Sequence, residues 1–168
     1  MDSWGQLAFE RQHGGRVDDP AVAGIERVVA KLIGDAWDGP DIRVGILGTN
    51  DRNAYVLASG HVYVTVGMLD ILCTVDELAA VLAHELAHLE YAGDFESQGR
   101  DLDERLQVES DADCRAVARL IDAGYEPAML AEMVEKLADE QPEGWAGFRR
   151  RRLAERLGEP DDRDYRIP

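Results

Sequence analysis

The stretch His84-Glu85-Leu86-Ala87-His88 constrains this chain more than any other part of its sequence. It is the H-E-x-x-H pattern, in which a helix presents two metal-ligating imidazoles and one carboxylate. Residues four apart lie on the same side of a helix, so His84 and His88 can bind one ion. Glu85 lies a third of a turn away, where it can contact a metal-bound water instead of the metal. The stretch therefore predicts a helix that carries a metal site.

The residues before the pattern favour the same helix. Thr74 and Glu77 have the spacing of a capping box, in which each side chain accepts a hydrogen bond from a free backbone N–H. The segment from Leu78 to Leu89 is apolar nearly all the way round, as in a buried helix. Imidazoles and a carboxylate inside such a helix are costly to desolvate unless something binds them. A metal ion accounts for them most simply.

A second helix is predicted between Leu102 and Gly124, with glycine as its C-terminal stop. Its apolar residues recur at helical spacing: Leu102, Leu106, Ala116, Val117, Leu120 and Ile121. Its opposite face is predicted to be solvated, with charges at Asp111, Arg115, Arg119 and Asp122.

Two acids lie on the apolar stripe of this second helix, and buried acids need partners. We expect Glu109 to be the third ligand of a single zinc ion held by His84 and His88. We expect Asp113 to accept the free N–H of a ligating histidine, His84, and so to fix its ring. Two alternatives stay open: a chance surface pattern, and buried histidines that pair with carboxylates without any metal.

The rest of the chain predicts a small sheet among helices. Alternating apolar residues favour a strand over 42–47, and a turn at 58–60 joins the strands 54–57 and 61–66 of a hairpin. Further helices are predicted after Trp4, after Pro20, after Pro127 and over 145–157. The fold class is therefore α+β and mainly helical, with the sheet beside the H-E-x-x-H helix.

Composition sets the remaining expectations. A chain of 168 residues suits a single domain over residues 1–168, with 158–168 as a loose polar tail. A net charge of −16 argues against nucleic acid and anionic membranes as partners. The start lacks a signal-peptide pattern and no stretch has transmembrane length, so we expect a cytoplasmic protein; an exported or membrane-tethered one is the alternative if a leader is missing. We expect Cys73 and Cys114 to be buried and His13 and His61 to lie at the surface.

Four segments in this order resemble one protein family. They are the hairpin that begins Asn53-Ala54-Tyr55, the helix Glu77–His88, the Glu-x-x-x-Asp at 109–113 and the Ala-Gly-Tyr-Glu-Pro link at 123–127. Together they resemble the gluzincin zinc metallopeptidases that include the HtpX-type, CAAX prenyl and OMA-type peptidases. The resemblance implies a zincin-like domain and a zinc-dependent metalloendopeptidase whose zinc-bound water is activated by Glu85.

The resemblance also implies a peptide or protein substrate, which we expect to bind as an extended strand along the outer strand near residues 61–65. Many relatives carry a Thr-His-Pro near the last helix, but residues 144–149 contain no histidine. Arg149, Arg150, Tyr125 or the zinc itself would have to polarise the scissile carbonyl instead. The alternative is a catalytically weak or inactive, zinc-stabilised peptide-binding or regulatory module. Latency, with the tail or the first helix over the cleft, is a third possibility.

Overall fold

The computed structural model describes residues 3–90 and 101–158. Its secondary structure confirms the mainly helical α+β fold class. The helices, numbered in chain order, are α1 (Ser3–Gln12), α2 (Ala21–Ile33), α3 (Val66–Leu69), α4 (Val75–Glu90), α5 (Leu102–Asp122), α6 (Met129–Lys136) and α7 (Trp145–Leu157). The strands are β1 (Arg16–Val17), β2 (Arg43–Leu47), β3 (Ala54–Val56) and β4 (His61–Thr65), and a 3-10 turn (Ala138–Glu140) follows α6.

The four strands form one mixed sheet in the order β1-β2-β4-β3. The predicted hairpin is confirmed, because β3 and β4 pair antiparallel with Tyr55 opposite Tyr63. On its other side β4 pairs in parallel with β2, with Arg43 opposite His61. The expected docking of a substrate along residues 61–65 is therefore wrong, since β4 is hydrogen-bonded on both sides. The edge strand of the hairpin is β3.

Helix α4 lies at the centre of the fold and contacts α2, α5, α6 and β3. Its apolar residues from Ala79 to Leu89 are almost fully buried, as the sequence predicts for a helix segment that is apolar nearly all the way round. They share one core with the inner face of the sheet, including Val62 and Val64, and with α2. Helix α1 contributes to the opposite face, where Tyr63 donates a hydrogen bond of 2.6 Å to Glu10.

The start of α4 is fixed by the predicted capping box. The hydroxyl of Thr74 accepts from the backbone N–H of Glu77 at 3.1 Å, and the Glu77 carboxylate accepts from the backbone N–H of Thr74 at 3.1 Å. The structure adds a partner from α6, because Lys136 donates to the same carboxylate at 2.6 Å. The N-terminus of α4 is thereby tied to α6.

Four predictions about single residues are wrong. Leu102 and Ile121 are exposed, because they lie in the first and last turns of α5, outside its buried stretch. Cys73 is exposed in the turn before α4. His61 is buried, because α1 helps to cover its face of the sheet.

The polar face of α5 also differs from the expectation. The guanidinium of Arg119 is largely buried, donates to the backbone oxygen of Leu32 and pairs with Glu90. The expected polar link at 91–101 falls mostly outside the described residues, and so does the expected tail after Gly158. Among the described residues, no helix is both long and apolar enough to cross a membrane.

Candidate metal centre

Helices α4 and α5 bring His84, His88 and Glu109 together. The Nε2 atoms of the two histidines lie 3.1 Å apart, because residues four apart occupy successive turns of one helix face. One carboxylate oxygen of Glu109 lies 3.1 Å from Nε2 of His84, and the other lies 3.6 Å from Nε2 of His88. Among the described residues this is the group of His, Cys, Asp and Glu side chains whose ligand atoms are close enough to hold one ion.

The spacing of the two imidazole nitrogens and the two carboxylate oxygens suits a tetrahedral divalent ion. Nitrogen and oxygen donors about 2.0–2.1 Å from a tetrahedral zinc lie about 3.3 Å from one another. The separations of 3.1, 3.1 and 3.6 Å in this cluster bracket that value. Three side chains also leave the fourth tetrahedral position open.

Asp113 and Arg149 form a second layer behind His84. An Asp113 oxygen lies 2.9 Å from Nδ1 of His84, the ring nitrogen that faces away from Glu109. Arg149, on α7, donates to both oxygens of Asp113 at 2.7 Å each, from Nε and Nη2. Its Nη1 donates to Gln141 at 3.0 Å and lies 3.6 Å from Glu109. The orientation of His84 is thus fixed by three helices.

Charge is balanced within this cluster. Burial opposes protonation of His84, but hydrogen bonds to Asp113 and Glu109 outweigh it and raise the pKa of the His84 imidazole to about 10. Burial lowers the pKa of His88 to about 4. Burial alone would raise the pKa of Glu109, yet the hydrogen bond from His84 and the nearby positive charges lower it to about 2. Arg149 likewise lowers the pKa of Asp113 against the effect of burial. His84 therefore carries the proton that a metal ion would replace.

Glu85 lies beside these residues and differs from them in its titration. Burial raises the pKa of its carboxyl to about 7, and the negative charge of Glu109 adds to this effect. A cation bound by the neighbouring side chains would lower that pKa again. A carboxyl whose pKa lies near neutral can both accept and return a proton, as general acid–base catalysis requires.

A cleft of about 480 Å³ opens over the cluster. One wall is the segment from Asp51 to Tyr55, which leads into and includes the start of the edge strand β3. The other wall comes from α6 and the turn that follows it. Its lining residues are Leu130, Met133, Val134, Leu137, Glu140 and Gln141. His84, Glu85, His88 and Glu109 also line the cleft, so the cleft joins the candidate metal site to the start of the edge strand β3.

The sequence does not reveal the place of Arg149. From the sequence, Arg149 is only one of several groups that could polarise the scissile carbonyl of a substrate. In the structure it is only 7% exposed and holds Asp113. The available signal is its spacing, because it precedes the buried Leu153 by four residues and so shares the inward face of α7.

Comparison with known proteins gives two findings. The sequence pattern of peptidase family M48 matches residues 22–100. The chain is also 34% identical over 90 residues to the metalloprotease YcaL of Escherichia coli (strain K12), a match that covers 53% of this chain and 32% of that protein. The chain thus aligns with about a third of the length of this relative. Glu109 and Asp113 lie beyond the matched family pattern.

Proposed function

We propose that this chain, whose residues 22–100 match the sequence pattern of peptidase family M48, is a zinc-dependent metalloendopeptidase. The observation that carries the proposal is the convergence of His84, His88 and Glu109 at separations suited to a tetrahedral ion. We assign these three side chains as the ligands of one zinc ion. Two imidazoles and one carboxylate favour zinc over harder divalent ions, which prefer oxygen donors alone. Zinc bound there would act as a Lewis acid that polarises a carbonyl and makes water more acidic.

Glu85 is the proposed general base. It follows the ligand His84 directly and lines the cleft, so its carboxylate faces the space in which a substrate would lie. In this role it takes a proton from the attacking water and returns it to the amine that leaves. Burial raises the pKa of this carboxyl, whereas bound zinc would lower it, so the first effect favours return of the proton and the second favours its uptake as a base.

Asp113 and Arg149 are proposed to position His84 and not to touch the substrate. Asp113 accepts from Nδ1 of His84, which leaves Nε2 directed at the metal position. Arg149 keeps the Asp113 carboxylate ionised and oriented through two charged hydrogen bonds.

The proposed substrate is a peptide or protein segment in extended conformation. β3 ends the sheet and borders the cleft, so its free edge can add a substrate strand by backbone hydrogen bonds. This replaces the expected docking on residues 61–65.

The test separates metal binding from chemistry. Glu85→Gln should keep about one zinc per chain and lose at least a hundredfold of the cleavage of casein or a quenched peptide, since general-base catalysis contributes about 10²–10⁴-fold. Glu132→Gln, an exposed glutamate on α6, is the matched control and should cleave like the parent. Metal content is measured after purification without added ions. Unchanged cleavage by Glu85→Gln would refute the role of Glu85.

A zinc-stabilised peptide-binding or regulatory module is the second candidate. It is favoured by the cleft lining, which among the described residues contains no histidine besides His84 and His88. Arg149, a possible donor to the carbonyl, is instead engaged by Asp113 and Gln141. Stoichiometric zinc without chelator-sensitive cleavage of varied peptides would select this candidate. The single domain over residues 1–168 and the cytoplasmic location stay predictions.

A further inference from the structure

A charged bridge joins the two walls of the cleft. Arg52 lies in the loop before β3, on the strand wall, whereas Asp139 and Glu140 lie in the turn after α6, on the helical wall. Nη2 of Arg52 lies 2.5 Å from Asp139 and 2.8 Å from Glu140, and its Nε donates to Glu140 at 3.0 Å. Arg52 and Glu140 both line the cavity that contains Glu85 and the candidate ligands. The bridge therefore spans the same cleft in which a substrate would lie.

The backbone on the strand side of the bridge is firmly held. The buried hydroxyl of Thr65 donates toward the backbone oxygens of Asp51 and Asn53, on either side of Arg52. Gly67 packs so closely on this loop that an added Cβ would lie 2.1 Å from the backbone oxygen of Asn50.

The backbone on the helical side is held as well. The side chain of Gln141 donates to the backbone oxygens of Val134 and Leu137, and Arg149 fixes that side chain from behind. Because the backbone of each wall is hydrogen-bonded in place, the bridge can open by rotation of the Arg52 side chain without loop movement.

The bridge is exposed enough to open readily. The side chains of Arg52, Asp139 and Glu140 are 30%, 68% and 48% exposed, so water and salt ions reach all three. Exposed ion pairs are weak and are screened by salt. A contact of this kind can open without any unfolding of the protein.

We propose that Arg52 determines substrate specificity by bridging the cleft, so that short peptides are accepted in preference to long chains. This inference rests on the proposed peptidase function. A cavity of about 480 Å³ has the size of a small-ligand site and can hold a few residues. A longer chain would have to continue past the bridge, which must then open. A short peptide can lie inside the cleft with the bridge closed.

The test compares a long unfolded substrate with a short one. The kcat/KM for casein, divided by that for a quenched peptide of about six residues, is measured in zinc-loaded protein. Arg52→Ala should raise this ratio about threefold to tenfold, because two weak exposed pairs are lost. The double variant Asp139→Asn with Glu140→Gln should raise it similarly, although Arg52 is still present. Glu135→Gln removes the Arg150–Glu135 pair at 2.9 Å outside the cleft and should leave the ratio unchanged.

Salt provides a second readout. Raising the sodium chloride concentration should raise the ratio in the parent and have little effect on it in Arg52→Ala, because only the parent has a bridge to screen. An unchanged ratio in both bridge variants would overturn the inference. So would a fall in Arg52→Ala alone, since Arg52 would then be contacting substrate directly.

A binding measurement distinguishes this inference from the proposed function. Binding of the same two substrates to zinc-loaded Glu85→Gln protein, with and without Arg52→Ala, is followed by fluorescence anisotropy. A higher long-to-short binding ratio without Arg52, together with a parent protein that cleaves neither substrate, would refute the peptidase but support the bridge. Cleavage by the parent with no change in either ratio would refute the bridge alone. No cleavage by the parent, with no binding of either substrate to the Glu85→Gln protein, would overturn both.

Discussion

Replacing Arg149 with methionine should destabilise the protein strongly, because it would leave a buried carboxylate without its main partner. Asp113 is 1% exposed and receives two hydrogen bonds of 2.7 Å from Arg149. Methionine is long enough to fill much of the same space, so the change removes charge and hydrogen bonds more than volume. His84 is the other partner of Asp113 and limits the loss without cancelling it.

The size of the effect follows from this burial. Breaking a buried ion pair from one side costs about 3–5 kcal/mol of the free energy of unfolding. For a chain of this size, each kcal/mol lowers the melting temperature by about 2–4 °C. Arg149→Met should therefore melt roughly 6–20 °C below the parent. The measurement is thermal and urea unfolding of the metal-free protein, so that zinc does not contribute.

A double-mutant cycle tests the reason for the loss. Asp113→Asn removes the charge that Arg149 neutralises, so the double variant should lose less than the sum of the two single changes. We expect a coupling of about 1–3 kcal/mol between the two positions. Arg150→Met is the control, since its partner Glu135 is exposed, and it should cost less than about 1 kcal/mol. Additive losses, or an Arg149→Met protein as stable as the control, would refute this account of Arg149.

Two further predictions concern pH. Burial and the hydrogen bond to Glu10 raise the pKa of Tyr63 to about 12, so the stabilisation of the folded state by the protonated phenol is present below pH 10 and is lost as the pH rises from 10 through 12. In unfolding measurements Tyr63→Phe should remove this loss of stability at alkaline pH. An equal loss in both proteins would contradict the prediction. His84, with a pKa of about 10, must release a proton to bind zinc, whereas Glu109 and His88 are already deprotonated above about pH 5. Zinc affinity of the Glu85→Gln variant should therefore rise about tenfold per pH unit between pH 5 and 9, and a flat profile in competition titrations would refute this protonation pattern.

The parts of the fold that the sequence predicts are those encoded by neighbouring residues. The capping box at Thr74 and Glu77, the apolar run of α4 and the turn of the β3–β4 hairpin each depend on residues within a few positions of one another. The meeting of Glu109 with His84 was also predictable, since both lie on inward helix faces that need a shared partner.

What the sequence does not predict depends on pairing between distant segments. The edge position of β3 follows from the parallel pairing of β2 with β4, which no local pattern specifies. The two-residue strand β1 is too short to have a period. The contact of Arg52 with Asp139 joins residues 87 positions apart, and its loop and turn have no periodic pattern.

Metal binding at the proposed site would be coupled to the packing of α5 on α4, because Glu109 lies on α5 and the two histidines lie on α4. The segment that matches the family, residues 22–100, contains His84 and His88 but not Glu109 or Asp113. Two imidazoles on one helix turn can bind an ion weakly by themselves, whereas the third ligand arrives only when α5 docks. If Glu109 is the third ligand, zinc would bind more tightly when α5 is docked, and the ratio of its two affinities would set how strongly it stabilises the docked state. Zinc should then protect the backbone amides of α5 from hydrogen exchange as strongly as those of α4. Protection confined to α4 would show that Glu109 is not a ligand.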